Sequence, residues 1–152
     1  MTSLTLDTLV YIGNFCDFTT LVKLRSTCTK LRERLRITTV PGRFQSRLND
    51  SILLTLPHLT TLDASANTAI TDASVCRLTN LTTLDVRYNT AITDSSVRML
   101  TNLTTLDASY SNALTDASVC KLTNLTTLYA RYNTAITNAS VKKLPKLTNF
   151  YR

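Results

Sequence analysis

The chain has 152 residues, 43% of them hydrophobic and 18% charged, with 17 Lys and Arg against 10 Asp and Glu. That balance suits a soluble globular fold and excludes a disordered chain, and no apolar run approaches the ~20 residues of a membrane-spanning helix. Four scattered cysteines without a C-x-x-C, and an N-terminus (MTSLTLDTLVYIGNF) without a basic stretch, point to an intracellular protein, cytoplasmic or nuclear, with free thiols.

Residues 1–36 open the chain with helical spacing. Leu6, Leu9, Ile12 and Phe15 come after Asp7, and Leu21, Leu24, Cys28, Leu31 and Leu35 continue the pattern. The spacing predicts two or three short amphipathic helices with a turn near 16–19. Positive charge gathers at the end of this segment. Lys23, Arg25, Lys30, Arg32, Arg34, Arg36, Arg43 and Arg47 face one acid, Glu33. Such a cluster can contact nucleic acid. Without interleaved aromatic residues it reads more simply as a solvated helix face.

A repeat of 22 residues takes over next. Leu59, Leu81, Leu103, Leu125 and Leu147 are 22 apart, as are Leu62, Leu84, Leu106, Leu128 and Phe150. Ile70, Ile92, Leu114 and Ile136 keep the same step, and so do Val75, Val97, Val119 and Val141. Four full units cover 59–146, and a half unit, LTNFYR, occupies 147–152. Residues 37–58 form a degenerate first unit, with ITTV at 37–40 and Leu48, Leu53 and Leu56 in the framework positions. A period this short means a solenoid whose coils bury their apolar faces against one another. Within a coil, TLDVRY alternates as a strand, NTAIT turns, and Thr93 or Asp94 caps a short helix, DSSVRML. About six parallel strands are expected. Cys76 and Cys120, two coils apart and so roughly 10 Å, are too distant for a disulfide. Asn49, Asn80, Asn102, Asn124 and Asn138 begin N-x-S/T triplets, but three of them are one repeat position, which favours a structural role.

The words Leu59-Leu62-Ala64-Asn67, Leu81-Leu84-Val86-Asn89, Leu103-Leu106-Ala108 and Leu125-Leu128-Ala130-Asn133 resemble the leucine-rich repeat pattern L-x-x-L-x-L-x-x-N. The resemblance implies an α/β solenoid with short helices on its convex side, and an Asn that bonds backbone groups of adjacent coils. Three departures stand out: Ser111 (then Asn112) replaces the third Asn, the sixth apolar position is mostly Ala, and one extra residue separates Asn from Ile. Residues 4–35 resemble an F-box, through Leu6-Asp7-x-Leu9 and the frame Ile12, Phe15, Asp17, Leu21, Leu24 and Cys28. The family's Pro is absent and Leu31 stands at its Trp. F-box proteins of eukaryotes and of large DNA viruses look similar, and the near-identical repeats favour the viral kind. The resemblance implies a substrate adaptor that docks on a Skp1-like protein of a cullin ubiquitin ligase through Leu6, Leu9, Ile12, Phe15, Leu21 and Leu24. The plainer alternative makes residues 1–36 only a cap on the solenoid.

Nothing in the chain assembles into a catalytic set, so no enzyme activity, cofactor or metal is expected. His58 is the only histidine and sits at the position of Asn80, Asn102 and Asn124, and two glycines cannot build a phosphate loop. The carboxylates of Asp63, Asp85 and Asp107 recur 22 apart; Arg87 is expected to relieve them. The outward strand positions vary most. One column is Asp63, Asp85, Asp107 and Tyr129; the next is Ser65, Arg87, Ser109 and Arg131; the third is Ala66, Tyr88, Tyr110 and Tyr132. Tyr and Arg combine apolar area with directional polar groups, so these columns predict a surface for a target protein. The opposite side carries Arg77, Arg98, Lys121, Lys142 and Lys143 and reads as solvated. The strand edge at LTNFYR offers itself for pairing with another chain.

Overall fold

Five three-residue strands form one parallel sheet in chain order: β1 (Thr61–Asp63), β2 (Thr83–Asp85), β3 (Thr105–Asp107), β4 (Thr127–Tyr129) and β5 (Asn149–Tyr151). The register advances by one repeat at each step, pairing Leu62 with Leu84, Leu84 with Leu106, Leu106 with Leu128 and Leu128 with Phe150. This computed structural model describes residues 20, 37–40 and 42–152, the side chains of 42–44 excepted. The predicted helices of 1–36 lie outside the described residues. Ile37–Arg152 forms one compact unit.

Among the described residues the sheet has five strands rather than about six. The segment 37–40 contributes a single bridge, Thr39 to Thr61, because the chain winds into a 3-10 turn at Gly42–Arg47 directly afterwards. The framework residues of this first unit, Val40, Leu48, Leu53 and Leu56, are nonetheless buried, as their counterparts are in the next three coils; in the last turns Val141 and Phe150 are only partly buried.

Each coil returns through a four-residue helix: α1 (Asp50–Leu53), α2 (Asp72–Val75), α3 (Asp94–Val97), α4 (Asp116–Val119) and α5 (Asn138–Val141). The N-cap is Asn49 in α1 and Thr71, Thr93, Thr115 or Thr137 in the others, each side chain accepting a backbone N–H of the first turn. Of the two candidates in the third coil, Thr93 is therefore the cap. Helices this short hold only because Val75, Val97 and Val119, with Leu78, Leu100 and Leu122 just beyond, are fully buried against neighbouring coils.

The aspartate after each cap has a different task. Asp72 accepts the Thr93 amide (2.8 Å), the Thr93 hydroxyl (2.6 Å) and the Ser96 hydroxyl (2.5 Å) of the next coil. Asp50 binds Thr71 and Ser74 in the same way. Asp94 and Asp116 bind the amide and hydroxyl of Thr115 and Thr137, while Ser118 and Ser140 donate to the Thr115 and Thr137 carbonyls. Burial pushes these carboxyls up, but the serine and threonine donors outweigh it and hold all four below the ordinary carboxylate range. A cap in one coil is thus clamped by the acid of the coil before it.

The repeat asparagine supplies a second clamp. Asn89 donates to the carbonyls of Ala64 (3.1 Å), Asn67 (2.6 Å) and Ile70 (3.5 Å) in the preceding coil and accepts from Ala91 and Ile92 in its own. Asn133 repeats the set against Ala108, Ser111 and Leu114. Ser111, at the same position, makes one such bond, to the Asn89 carbonyl (2.8 Å). Neighbouring Asn112 takes up the Thr134 amide instead (3.0 Å). Asn80, Asn102 and Asn124 donate to Pro57, Thr79 and Thr101 carbonyls at 2.9 Å. These asparagines join coils, as their recurrence suggests. Cys76 and Cys120 are free thiols.

Candidate functional site

The outward side of the sheet is built by strand alternation. Leu84 and Val86 are buried, and Thr83 and Asp85 on the other side are partly exposed. The strand ends at Asp85, however, and after Val86, whose amide still bonds the Asp107 carbonyl (2.9 Å), the chain turns at Arg87 and Tyr88 instead of running extended. Alternation carried one residue further would point Tyr88 inward. It instead has φ 57°, in the left-handed region, and Ala66, Tyr110 and Tyr132 share that conformation (53°, 59° and 57°). For a residue with a bulky Cβ this costs about 1 kcal/mol or more. The conformation swings the rings to the edge of the face, where Tyr88, Tyr110 and Tyr132 are 56%, 42% and 71% exposed. Their rings stack at 4.5 and 4.6 Å between centroids, the spacing of adjacent strands. A second stack, Tyr129 on Tyr151, lies at 4.6 Å. Tyr151 is absent from the columns read off the sequence, although Tyr129 plus one repeat points to it.

The charged columns resolve coil by coil. Asp63 Oδ1 accepts the Ser65 amide (2.9 Å) and hydroxyl (2.6 Å). Asp85 holds Arg87 through an ion pair of 2.7 Å, and Arg87 Nε lies 3.5 Å from Asp107. Arg87 thus relieves two of the three stacked carboxylates, as expected, and its own pKa is raised by the bond to Asp85 and that carboxylate's charge. Asp107 Oδ1 also accepts the Ser109 amide (3.0 Å). In the fourth coil tyrosine replaces the acid, and among the described residues Arg131 has no ion pair.

The face therefore brings together Asp63, Ser65, Asp85, Arg87, Tyr88, Asp107, Tyr110, Tyr129, Arg131 and Tyr132. Ser109 is the exception. It is 4% exposed, and its hydroxyl accepts the Arg131 amide (3.2 Å), so it braces the next coil instead of facing solvent. A serine is small enough to tuck under the turn where arginine is not. Leu6, Leu9, Ile12, Phe15, Leu21 and Leu24 lie outside the described residues, as does most of the basic segment 23–47; Arg47 is exposed. On the helical side Arg77, Arg98, Lys121, Lys142 and Lys143 are exposed, and His58 is half-buried. Among the described residues no helix is long and apolar enough to cross a membrane.

The parallel one-repeat register, the asparagine clamps and the buried leucine frame define a leucine-rich repeat solenoid. A family model described as leucine rich repeats, two copies, matches residues 57–98. Among solved structures, an internalin C2 of Listeria monocytogenes is similar at 32% identity and a TM-score of 0.56, over 66% of this chain and 45% of that one. A chain of the yeast Rad7 and Elc1 complex is similar in fold at 20% identity and a TM-score of 0.55, over 70% and 33%. The structure of a TLR13–ssRNA13 complex is similar at 27% identity and a TM-score of 0.52, over 68% and 16%. The chain spans less than half of each. No curated protein matches it.

Proposed function

We propose that this chain is a non-catalytic interaction module whose sheet face holds a target protein. The observation that supports this most directly is the tyrosine edge. Three successive coils place tyrosine in a left-handed conformation that glycine or asparagine would adopt at lower energy. The stacking of coils needs no such residue, since Ala66 occupies the same position and conformation. Retained strain that exposes aromatic rings beside Arg131 has the composition of a binding hot spot.

The finer reading is a substrate adaptor. The F-box-like residues Leu6, Leu9, Ile12, Phe15, Leu21 and Leu24 dock on a Skp1-like protein, and the solenoid presents its target to a cullin-type ubiquitin ligase inside the cell. Two measurements separate the two levels. Pull-down of a purified Skp1-like adaptor by the full chain, lost in a Leu9→Asp/Ile12→Asp variant, supports the adaptor role. No binding at micromolar concentration leaves residues 1–36 as a cap. Independently, Tyr88→Ser/Tyr132→Ser should abolish target capture while the fold persists.

A nucleic-acid reading for the sheet face is disfavoured by its charge. Three carboxylates line it against two arginines, one of them paired, and a polyanion laid along the columns would meet repulsion.

A further inference from the structure

The sheet face is electrically lopsided in a way that makes it complementary to itself. The first of the four full coils has an acid that forms no ion pair among the described residues, Asp63 beside Ser65. The second has a closed pair, Asp85 with Arg87. The third has an acid, Asp107, that only shares Arg87 at 3.5 Å. The fourth has a base that forms no ion pair among the described residues, Arg131 beside Tyr129. Asp63 and Arg131 stand three coils apart, about 14 Å at strand spacing.

Shape keeps the same order. In the column of left-handed residues the first coil has Ala66 and the fourth has Tyr132, the most exposed tyrosine of the three. A cavity of about 510 Å³ opens at the alanine end, lined by Asp63, Ser65, Ala66, Asn67, Thr68 and Ala69 of the first full coil and by Gln45 and Ser46 of the coil before. The protruding ring and the free cation are thus at one end of the face, and the acid-lined hollow is at the other.

We infer that this face binds a second copy of the chain in an antiparallel, two-fold pair, with Arg131 and Tyr132 of each copy seated in the Asp63–Ala66 hollow of the other. A two-fold axis parallel to the strands, midway between β2 and β3, reverses the coil order and keeps each column opposite itself. The first full coil then meets the fourth, placing Arg131 near Asp63 and Tyr132 over Ala66, twice. The second coil meets the third, so that Arg87 finds Asp107 of the partner, and the tyrosine edges of the two ladders meet at the centre. Isologous contacts of this kind need one surface to carry both halves of each match, and this face does. The same pairing covers the residues offered to a target, so the dimer and a target compete. The inference does not depend on a target existing.

The test is a charge swap read by sedimentation equilibrium of the full chain. Across roughly 5–500 μM at low salt the wild-type chain should shift from monomer to dimer, and added salt should weaken the dimer. Asp63→Arg and Arg131→Asp, each alone, should raise the dimer Kd roughly tenfold or more, because like charges then face each other. The double variant Asp63→Arg/Arg131→Asp should restore the dimer, which also shows that the single variants were folded. Ala66→Tyr should abolish dimerisation while extending a ladder the fold already accepts. A chain that stays monomeric throughout, or a dimer indifferent to the single swaps and not rescued by the double, overturns the inference. Indifference would assign association to another surface, such as the free edge of β5.

Discussion

The asparagine clamp offers a reciprocal test of how the coils are joined. Asn133 donates to three carbonyls of the preceding coil (2.6–3.3 Å) and accepts two amides of its own (2.9 and 3.0 Å). Ser111 supplies one bond at the same position. Ser111→Asn should therefore add two or three usable bonds in a fully buried place. At about 0.5–1.5 kcal/mol net for each, and less the ordering of a longer side chain, the gain is about 1–3 kcal/mol. The reverse change, Asn89→Ser, leaves the amides of Ala91 and Ile92 without their acceptor, removes the side-chain donor from the Ile70 carbonyl and leaves the Ala64 carbonyl with the Asn67 amide alone. It should destabilise by about 2–4 kcal/mol, since unmet buried groups cost more than the bonds are worth when made. Urea unfolding monitored by circular dichroism measures both, read as a shift in midpoint at constant slope. A Ser111→Asn variant equal to or below the wild type, with Asn89→Ser near neutral, would refute the view that these amides hold the coils together.

Further expectations come from the same contacts. Asp72→Ala removes three acceptor contacts to Thr93 and Ser96 and should cost about 1–3 kcal/mol by the same urea measurement. The clamped carboxyls titrate lower when folded than unfolded, so their contribution is fully present above the ordinary value of about 3.9 and is lost as pH falls through the folded values. Stability measured from neutral pH downward should hold steady and then drop below about pH 4, and an Asp72→Asn/Asp94→Asn variant should show a shallower drop. Tyr88→Gly should relieve backbone strain and leave stability within about 1 kcal/mol of wild type despite the lost stacking, while weakening capture of any partner on the sheet face. Leu84→Ala, at a position 1% exposed, should cost about 2–5 kcal/mol.

Much of the architecture is legible without coordinates. The 22-residue step sets the register, the buried leucines and the free thiols of Cys76 and Cys120, because a solenoid repeats one solution and each position is seen several times. Where a residue's partner sits one coil away is harder to read. Asp72 looks like a helix-starting acid; its bonds to Thr93 and Ser96 emerge only when two turns are laid side by side. The signal exists as the recurrence of T-D with Ser two residues beyond the acid, and buried Ser74, Ser96, Ser118 and Ser140 are its trace. Column alignment places Tyr88 on the outer face correctly, though for the wrong reason. Strand alternation holds through Val86 and Arg87 and fails at Tyr88, and tyrosine carries no sequence mark of a left-handed conformation as glycine would. Ser109 reads as a surface residue from its column alone, and its burial depends on a hydroxyl small enough to brace Arg131.

The central claim is that the tyrosine edge and Arg131 form the surface by which this chain holds a protein target. Site-specific photocrosslinking tests it most directly: p-benzoylphenylalanine is placed at position 88 or 132 on the sheet face, and at position 121 on the helical side, in the native cellular setting. The account predicts, beside any crosslink to a second copy of the chain, a crosslinked protein of different sequence from positions 88 and 132 that vanishes with Arg131→Asp, and none from 121. Crosslinking from 121 alone, or a partner at 88 and 132 that is indifferent to Arg131, would contradict it.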